Sequence, residues 1–209
     1  MLPPLSELLL FLTAGVALNL TPGPDMMYVA ARAVAEGRRA GVASALGIGA
    51  GTLFHITFVA LGLTSLLAAV PAAYTTIRLA GAAYLAYLGV QALRSTGEAH
   101  ERPLARGGDA AAFRQGVITN VLNPKVAMFF LAFLPQFVDP ARGNTALQVI
   151  ALGLLFDTTG TIVNVIVAVG ASRLASRLRG ARRTRLILDR LCGALFIGLG
   201  LRLALASRK

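Results

Sequence analysis

Apolar residues fall along the 209-residue chain in six long runs separated by short polar stretches. The runs are Leu5–Ala31, Gly41–Ala69, Ala72–Leu93, Phe113–Val138, Thr145–Ala171 and Leu186–Ala206. An α-helix needs about 20 mostly apolar residues to cross a bilayer, and each run meets that length. They are apolar all round rather than two-faced, so they read as spanning helices and not as helices lying on a membrane surface. The first run has no basic residue before Arg32, unlike the start of a cleaved signal peptide. The pattern predicts an all-α polytopic membrane protein, a single domain over residues 1–209 with six transmembrane helices. Gly47, Gly49 and Gly51 in the second run suit close helix–helix packing.

Two runs are interrupted. Thr21-Pro22-Gly23-Pro24 breaks the first and Asn123-Pro124-Lys125 breaks the fourth. Proline inside a helix removes a backbone donor and clashes with the preceding turn, so neither run continues as one helix. The hinges are Pro22, Gly23 and Pro24 in one half, and Pro124 in the other. The backbone groups freed at such a break find no partner in lipid and must face protein or a water-filled cavity.

The two interrupted runs also mark a repeat. Gly15-Val16 with Asn19 recurs as Gly116-Val117 with Asn120, and each is followed by a proline break. Arg78-Leu79 with Gly81-Ala82 recurs as Arg190-Leu191 with Gly193-Ala194. Repeat one covers about 5–94, a polar cytoplasmic linker about 95–112, and repeat two about 113–206. Each repeat holds three spans, an odd number, so the two insert with opposite topology. This is the inverted-repeat plan of secondary transporters, with broken helices 1 and 4 marking a substrate site near the midplane.

Charge sets the orientation. The chain has 20 Lys and Arg against 9 Asp and Glu, a formal net charge of +11. In a soluble protein that excess would suggest nucleic acid. Here the charged fraction is only 14% and mean hydropathy is +0.70, and the cations cluster beside the apolar runs. Arg32, Arg38 and Arg39 follow the first run. Arg94, Arg102, Arg106 and Arg114 lie around the linker, and Arg173, Arg177, Arg179, Arg182, Arg183 and Arg185 lie between the fifth and sixth runs. All three groups fall on one side, which the positive-inside rule makes cytoplasmic. Both termini then face the periplasm, and no nucleic-acid partner is expected.

The candidate chemistry sits at the breaks. Each second half-helix begins with unpaired N–H groups and the positive end of a helix dipole, a ready receptor for carboxylates. Asp25 opens one half-helix and Lys125 the other, and ionisable residues inside spans are expensive and usually functional. Asp25 could cap its own helix, carry a proton or bind a substrate ammonium. Lys125 could attract a substrate carboxylate, pair with Asp25 or snorkel to an interface. Asn19, Thr21, Asn120 and Asn123 could supply neutral hydrogen bonds, or simply form the turns. Asp157 lies in the middle of the fifth run among threonines. His55, in the second run, and Arg78, at the start of the third, are candidate relay or pairing groups. His55 also has a plain packing role open to it, and Arg78 an interfacial one. Met26, Met27 and Met128 read as packing.

A single cysteine, Cys192, excludes an internal disulfide or a paired-cysteine zinc site. His55 and His100 form no metal-spacing motif, so no metal or cofactor is expected. An intramembrane enzyme would need a nucleophile with its base, and a channel a filter loop or charge ring; neither pattern is evident. Small-residue faces could also support a homodimer.

The chain resembles the LysE/RhtB amino-acid exporter family. The resemblance rests on Leu20-Thr21-Pro22-Gly23-Pro24-Asp25, Gly37-Arg38-Arg39-Ala40-Gly41, Gly81 to Leu85 and Leu88-Gly89. In the second half it rests on Phe113-Arg114 with Gly116, Asn120 with Asn123-Pro124-Lys125, Phe129-Phe130 and Leu134 to Phe137. It implies a bacterial inner-membrane exporter of amino acids or close derivatives, driven by proton antiport, with the family signature on Thr21 to Asp25 and Asn123 to Lys125. The direction of transport follows from this resemblance alone. The alternative is an exporter of another small solute or a metal ion on the same scaffold.

Overall fold

The computed structural model describes residues 3–63, 107–174 and 182–205, with isolated residues between 76 and 94. The described residues are helical, with no strand among them. Much of the third apolar run, Arg78, most of the 95–112 linker and the arginines at 177 and 179 lie outside the described residues, as does the side chain of Cys192.

Helix α1, Leu5–Leu20, ends where Pro22 forces the residue before it out of the helical region, and Thr21 is extended at φ −68°, ψ 123°. Helix α2, Pro24–Glu36, starts directly with a proline, whose missing N–H is no loss in a first turn. The two are bent by 47°. One residue, Gly37, turns the chain into α3, Arg38–Phe58; its φ of +89° is a conformation that side-chain-bearing residues rarely adopt. A π-helical turn, Val59–Leu63, prolongs α3.

The second break repeats the first. Helix α4, Gly108–Val121, stops before Asn123, which is extended ahead of Pro124. Helix α5, Pro124–Met128, leads straight into a π-helical turn, Phe129–Phe133, and a 3-10 turn, Leu134–Phe137. This pair bends by 46°. Helix α6 is Thr145–Leu174 and α7 is Arg182–Leu205.

By length and apolarity, α3 with its extension and α6 can each cross a membrane, and each bent pair can serve as one span. That makes up to four spans among the described residues. Helix α7, 24 residues long, carries Asp189, Arg190 and Arg202 among its apolar residues and is not counted in those four.

The helices overrun the apolar runs at their polar ends. The first run's helix continues to Glu36, α4 begins at Gly108 inside the stretch read as linker, and Arg182, Arg183 and Arg185 belong to α7. Arginine and glutamate are good helix formers, so backbone hydrogen bonding does not stop where hydrophobicity does. Arg32 is therefore not a loop cation; it is an α2 residue only 2% exposed.

Packing around α3 is glycine-enabled. A Cβ on Gly47 would lie 2.1 Å from the Phe113 carbonyl oxygen, and one on Gly51 would lie 2.8 Å from the Val117 carbonyl. Across the same contact a Cβ on Gly116 would lie 2.6 Å from the Ser44 carbonyl. Backbones of α3 and α4 thus touch where side chains would hold them apart. On another face of α3, Gly49 admits Thr161 and Asp157 of α6.

Two apolar clusters bracket this crossing. One gathers Phe11 and Leu18 of α1, Phe129, Phe130, Phe133 and Phe137, with Ile56 and Phe156. The other gathers Tyr28, Val29 and Ala33 of α2, Ala45 and Ile48 of α3, and Ala168 and Ala171 of α6. On each of three chain segments a polar group falls between the clusters: the Thr21–Asp25 break, Thr52 on α3 and Asp157 on α6. Outside, Leu53, Phe54, Phe58, Ile162 and Ile166 are exposed. Polar side chains inside and apolar ones outside are the arrangement a bilayer favours.

Candidate functional site

The two breaks meet. Lys125 sits in the first turn of α5 and its ammonium donates to the Leu18 carbonyl at 3.0 Å and the Thr21 carbonyl at 2.9 Å. These carbonyls terminate α1, where helical partners run out and the dipole is negative, so a cation there satisfies both needs. Gly23 leaves the space: a Cβ on it would lie 2.9 Å from the Lys125 Nζ. The Thr21 hydroxyl donates back to the Ala17 carbonyl at 2.8 Å. Asn123 caps α5, its Oδ1 accepting from the Lys125 N–H at 3.0 Å, while its buried amide nitrogen has no hydrogen-bond partner.

Asp25 does not cap its own helix. It is 7% exposed, and its Oδ2 accepts from the Asn120 amide at 2.8 Å across to α4. Its Oδ1 is buried without a partner. Asn120, 1% exposed, is the hub. Its Oδ1 accepts from the Thr52 hydroxyl at 3.3 Å, and its main-chain carbonyl accepts from the Asn123 N–H at 2.9 Å. That carbonyl also lies 3.1 Å from His55 Nε2, which must therefore carry a proton to donate. The His55 ring stacks on Phe130 with centroids 5.9 Å apart. It thus combines the packing role with a hydrogen bond to the site's backbone.

Asp157 joins from α6. Its carboxylate lies in the space left by Gly49, where a Cβ would stand 3.4 Å from Asp157 Oδ1 and 2.7 Å from the Thr161 hydroxyl. Asn19 is set apart: its amide donates to the Thr159 hydroxyl at 3.2 Å and the Phe156 carbonyl at 3.4 Å, tying α1 to α6. Asp25, Asn120, Asn123, Lys125 and Thr21 are therefore together at the paired breaks, with His55 on their wall, while Asp157 packs against α3 at Gly49. Among the described residues, no group of three His, Cys, Asp or Glu side chains stands ready for a metal ion.

The LysE type translocator family model matches residues 16–207, a stretch that contains both breaks and the whole network. The chain belongs to the LysE type translocator family. It is 31% identical over 201 residues to a homoserine/homoserine lactone efflux protein of Salmonella typhimurium, covering 94% of this chain and 95% of that one. It is 34% identical over 208 residues to an uncharacterized membrane protein of Vibrio cholerae, covering 95% and 97%. An uncharacterized membrane protein of Pseudomonas aeruginosa is 32% identical over 194 residues, with 90% of each chain covered. No solved structure matches the chain. The protein is accordingly a membrane transporter of the exporter type.

Two parts of this translocator's interior carry no signal in its sequence pattern. Thr52, whose hydroxyl bonds Asn120, is a lone threonine in an apolar run; its spacing of one turn from Gly49 and His55 is the only trace. Arg32 is the other. Its guanidinium bonds Tyr28 at 3.1 Å, Gln115 at 2.7 Å and the Glu36 carboxylate. Tyr28 in turn donates to the Ala112 carbonyl at 2.8 Å. Glu36 receives the Gly107 and Gly108 N–H groups at 3.2 and 3.1 Å, closing the start of α4. At the opposite ends of the two bent pairs, Arg142 bonds Glu7 at 3.2 Å and Asp139 at 3.1 Å. Each bent pair is thus tied to the start of the other by a guanidinium and carboxylates.

Proposed function

We propose that this translocator exports amino acids or close derivatives from the cytoplasm by proton antiport across the bacterial inner membrane. In this reading six spans form two inverted three-helix repeats, both termini face the periplasm, and the halves alternate access around the paired breaks. The observation that carries it is Asp25: a carboxylate buried at the break, held through one oxygen by Asn120, with the other oxygen unpartnered.

A buried acceptor without a donor is costly, and a ligand that supplies one is favoured. A substrate ammonium or a proton each supplies a donor to that oxygen, and the two compete for it. Such competition is the essence of antiport: the proton entering from outside displaces the amine, and the amine arriving from inside displaces the proton. The unpartnered Asn123 amide nitrogen suits the carbonyl or carboxylate at the other end of an amino acid. Lys125 holds the α1 terminus beside it and adds positive potential for that end. Homoserine and its lactone, the solutes in the name of the Salmonella relative, share an amine and a carbonyl oxygen, which fits this pair of groups.

The test is excretion from cells preloaded with homoserine. Expression of the wild-type chain speeds excretion, and Asp25→Asn, whose amide oxygen still accepts from Asn120, abolishes it at equal membrane abundance. Normal excretion by Asp25→Asn would sink the proposal.

A further inference from the structure

Each proline break deprives one carbonyl of its helical donor. In a continuous helix the Asn120 carbonyl would accept from residue 124 and the Leu18 carbonyl from residue 22; both are prolines, with no N–H to give. Each carbonyl keeps one donor from its own segment, the Asn123 N–H at 2.9 Å and the Thr21 N–H at 3.2 Å. Each gains a second from the other half of the chain: Lys125 Nζ reaches Leu18 at 3.0 Å, and His55 Nε2 lies 3.1 Å from Asn120. We propose that His55 is a positioning residue for the amine site: acting through Asn120, it holds Asp25 where a substrate ammonium meets the unpartnered Oδ1. This rests on the reading of Asp25 given above and adds the residue that fixes its geometry.

Helix α3 builds a seat for Asn120. Gly51 leaves the room, since a Cβ there would lie 2.8 Å from the Asn120 Cβ. Thr52 donates to Asn120 Oδ1 at 3.3 Å, and His55, three residues on and on the same face, engages the main-chain carbonyl. With both oxygens held, Nδ2 is left to donate to Asp25 Oδ2 at 2.8 Å. A carbonyl oxygen has two lone pairs, and Asn123 and His55 occupy both. His55 is itself fixed. It is buried, its ring stacked on Phe130 and edge-on to Phe54, each with centroids 5.9 Å apart. Asn120 precedes the second break and Phe130 follows it, so one side chain grips that bent pair on both sides of Pro124.

Packing and proton relay are the other roles open to a buried histidine, and the three need different atoms. Packing needs the ring. Relay needs a group that takes up and releases protons. Positioning needs only a donor where Nε2 stands. His55→Phe keeps a ring against Phe130 and removes the donor. His55→Gln gives up the ring and the relay and places an amide N–H at a similar reach.

The test is labelled homoserine uptake into inverted vesicles carrying the full-length protein at equal abundance, measured against homoserine concentration. His55→Phe raises KM about tenfold and leaves Vmax within about threefold, because binding of the amine is weakened and the later steps are not. His55→Gln brings KM back to within about threefold of wild type. A Phe variant with the wild-type KM, or a Gln variant no better than the Phe variant, overturns the proposal. Nitrogen NMR of the isotopically labelled, purified protein in lipid gives a second arm that needs no transport. His100→Gln leaves His55 as the one histidine signal. Its Nε2 carries a proton, and the Asn120 side-chain amide signal, assigned by its loss in Asn120→Ala, shifts in His55→Phe and returns in His55→Gln. A bare Nε2, or an Asn120 signal that ignores His55→Phe, also overturns the proposal. If the wild type moves no homoserine, the substrate reading falls while the NMR signals still decide the role of His55.

Discussion

Lys125 and Gly23 act as one device. The ammonium bonds two carbonyls at the end of α1, and glycine at position 23 leaves it room, since a Cβ there would lie 2.9 Å from the Nζ. Lys125→Met keeps the stem and removes the donors. We expect it to cost about 1–3 kcal/mol, the usual penalty for stranding buried polar groups, read as a lower melting temperature in detergent. A melting temperature equal to wild type would show that water serves those carbonyls instead. The breaks were legible in the sequence because proline cannot hide its missing donor. The partner of Lys125 was not, because a backbone carbonyl has no letter of its own. The same limit applies to Asp25. Its intramembrane charge marked it, but the Asn120 contact that turns it away from a capping role depends on how α2 and α4 meet. Arg32 was misjudged for a related reason: a charge count cannot tell a solvated arginine from one that Tyr28, Gln115 and Glu36 surround.

Helix contacts depend on a few missing side chains. At Gly47 a Cβ would lie 2.1 Å from a main-chain oxygen of α4, which cannot swing aside as a flexible side chain can. Gly47→Ala therefore forces α3 and α4 apart, and overpacking of this kind costs about 1–3 kcal/mol. Gly62 is the matched control, since a Cβ there meets nothing within 4 Å. Gly47→Ala should lower the folded yield in membranes and Gly62→Ala should leave it unchanged; equal yields would contradict the packing described for α3. The glycine pattern of the second run already pointed to close approach. It did not say that Gly47 and Gly51 face α4 while Gly49 faces α6, which depends on how α3 sits between them. Helix ends were the least legible feature, because α2, α4 and α7 continue through charged residues that look like loop.

At the scale of the molecule, the two bent pairs match closely, at 47° and 46°, and each is tied to the start of the other. This likeness supports the proposed inverted repeat, in which the two sets of ties lie on opposite sides of the membrane. The proposal fixes the termini outside. A C-terminal alkaline phosphatase fusion should then be active and a C-terminal green fluorescent fusion dark; the reverse pattern would place an odd number of spans or the opposite orientation in the membrane. Composition alone indicated a membrane protein here, and the family match carries it to an exporter.

The central claim is that a proton and a substrate amine compete for Asp25. Its most direct test is uptake of labelled homoserine and a panel of other amino acids into inverted membrane vesicles, with and without an imposed proton gradient. The account predicts gradient-dependent accumulation of at least one of them, lost in Asp25→Asn. Accumulation that ignores the gradient, or that survives Asp25→Asn, would contradict it.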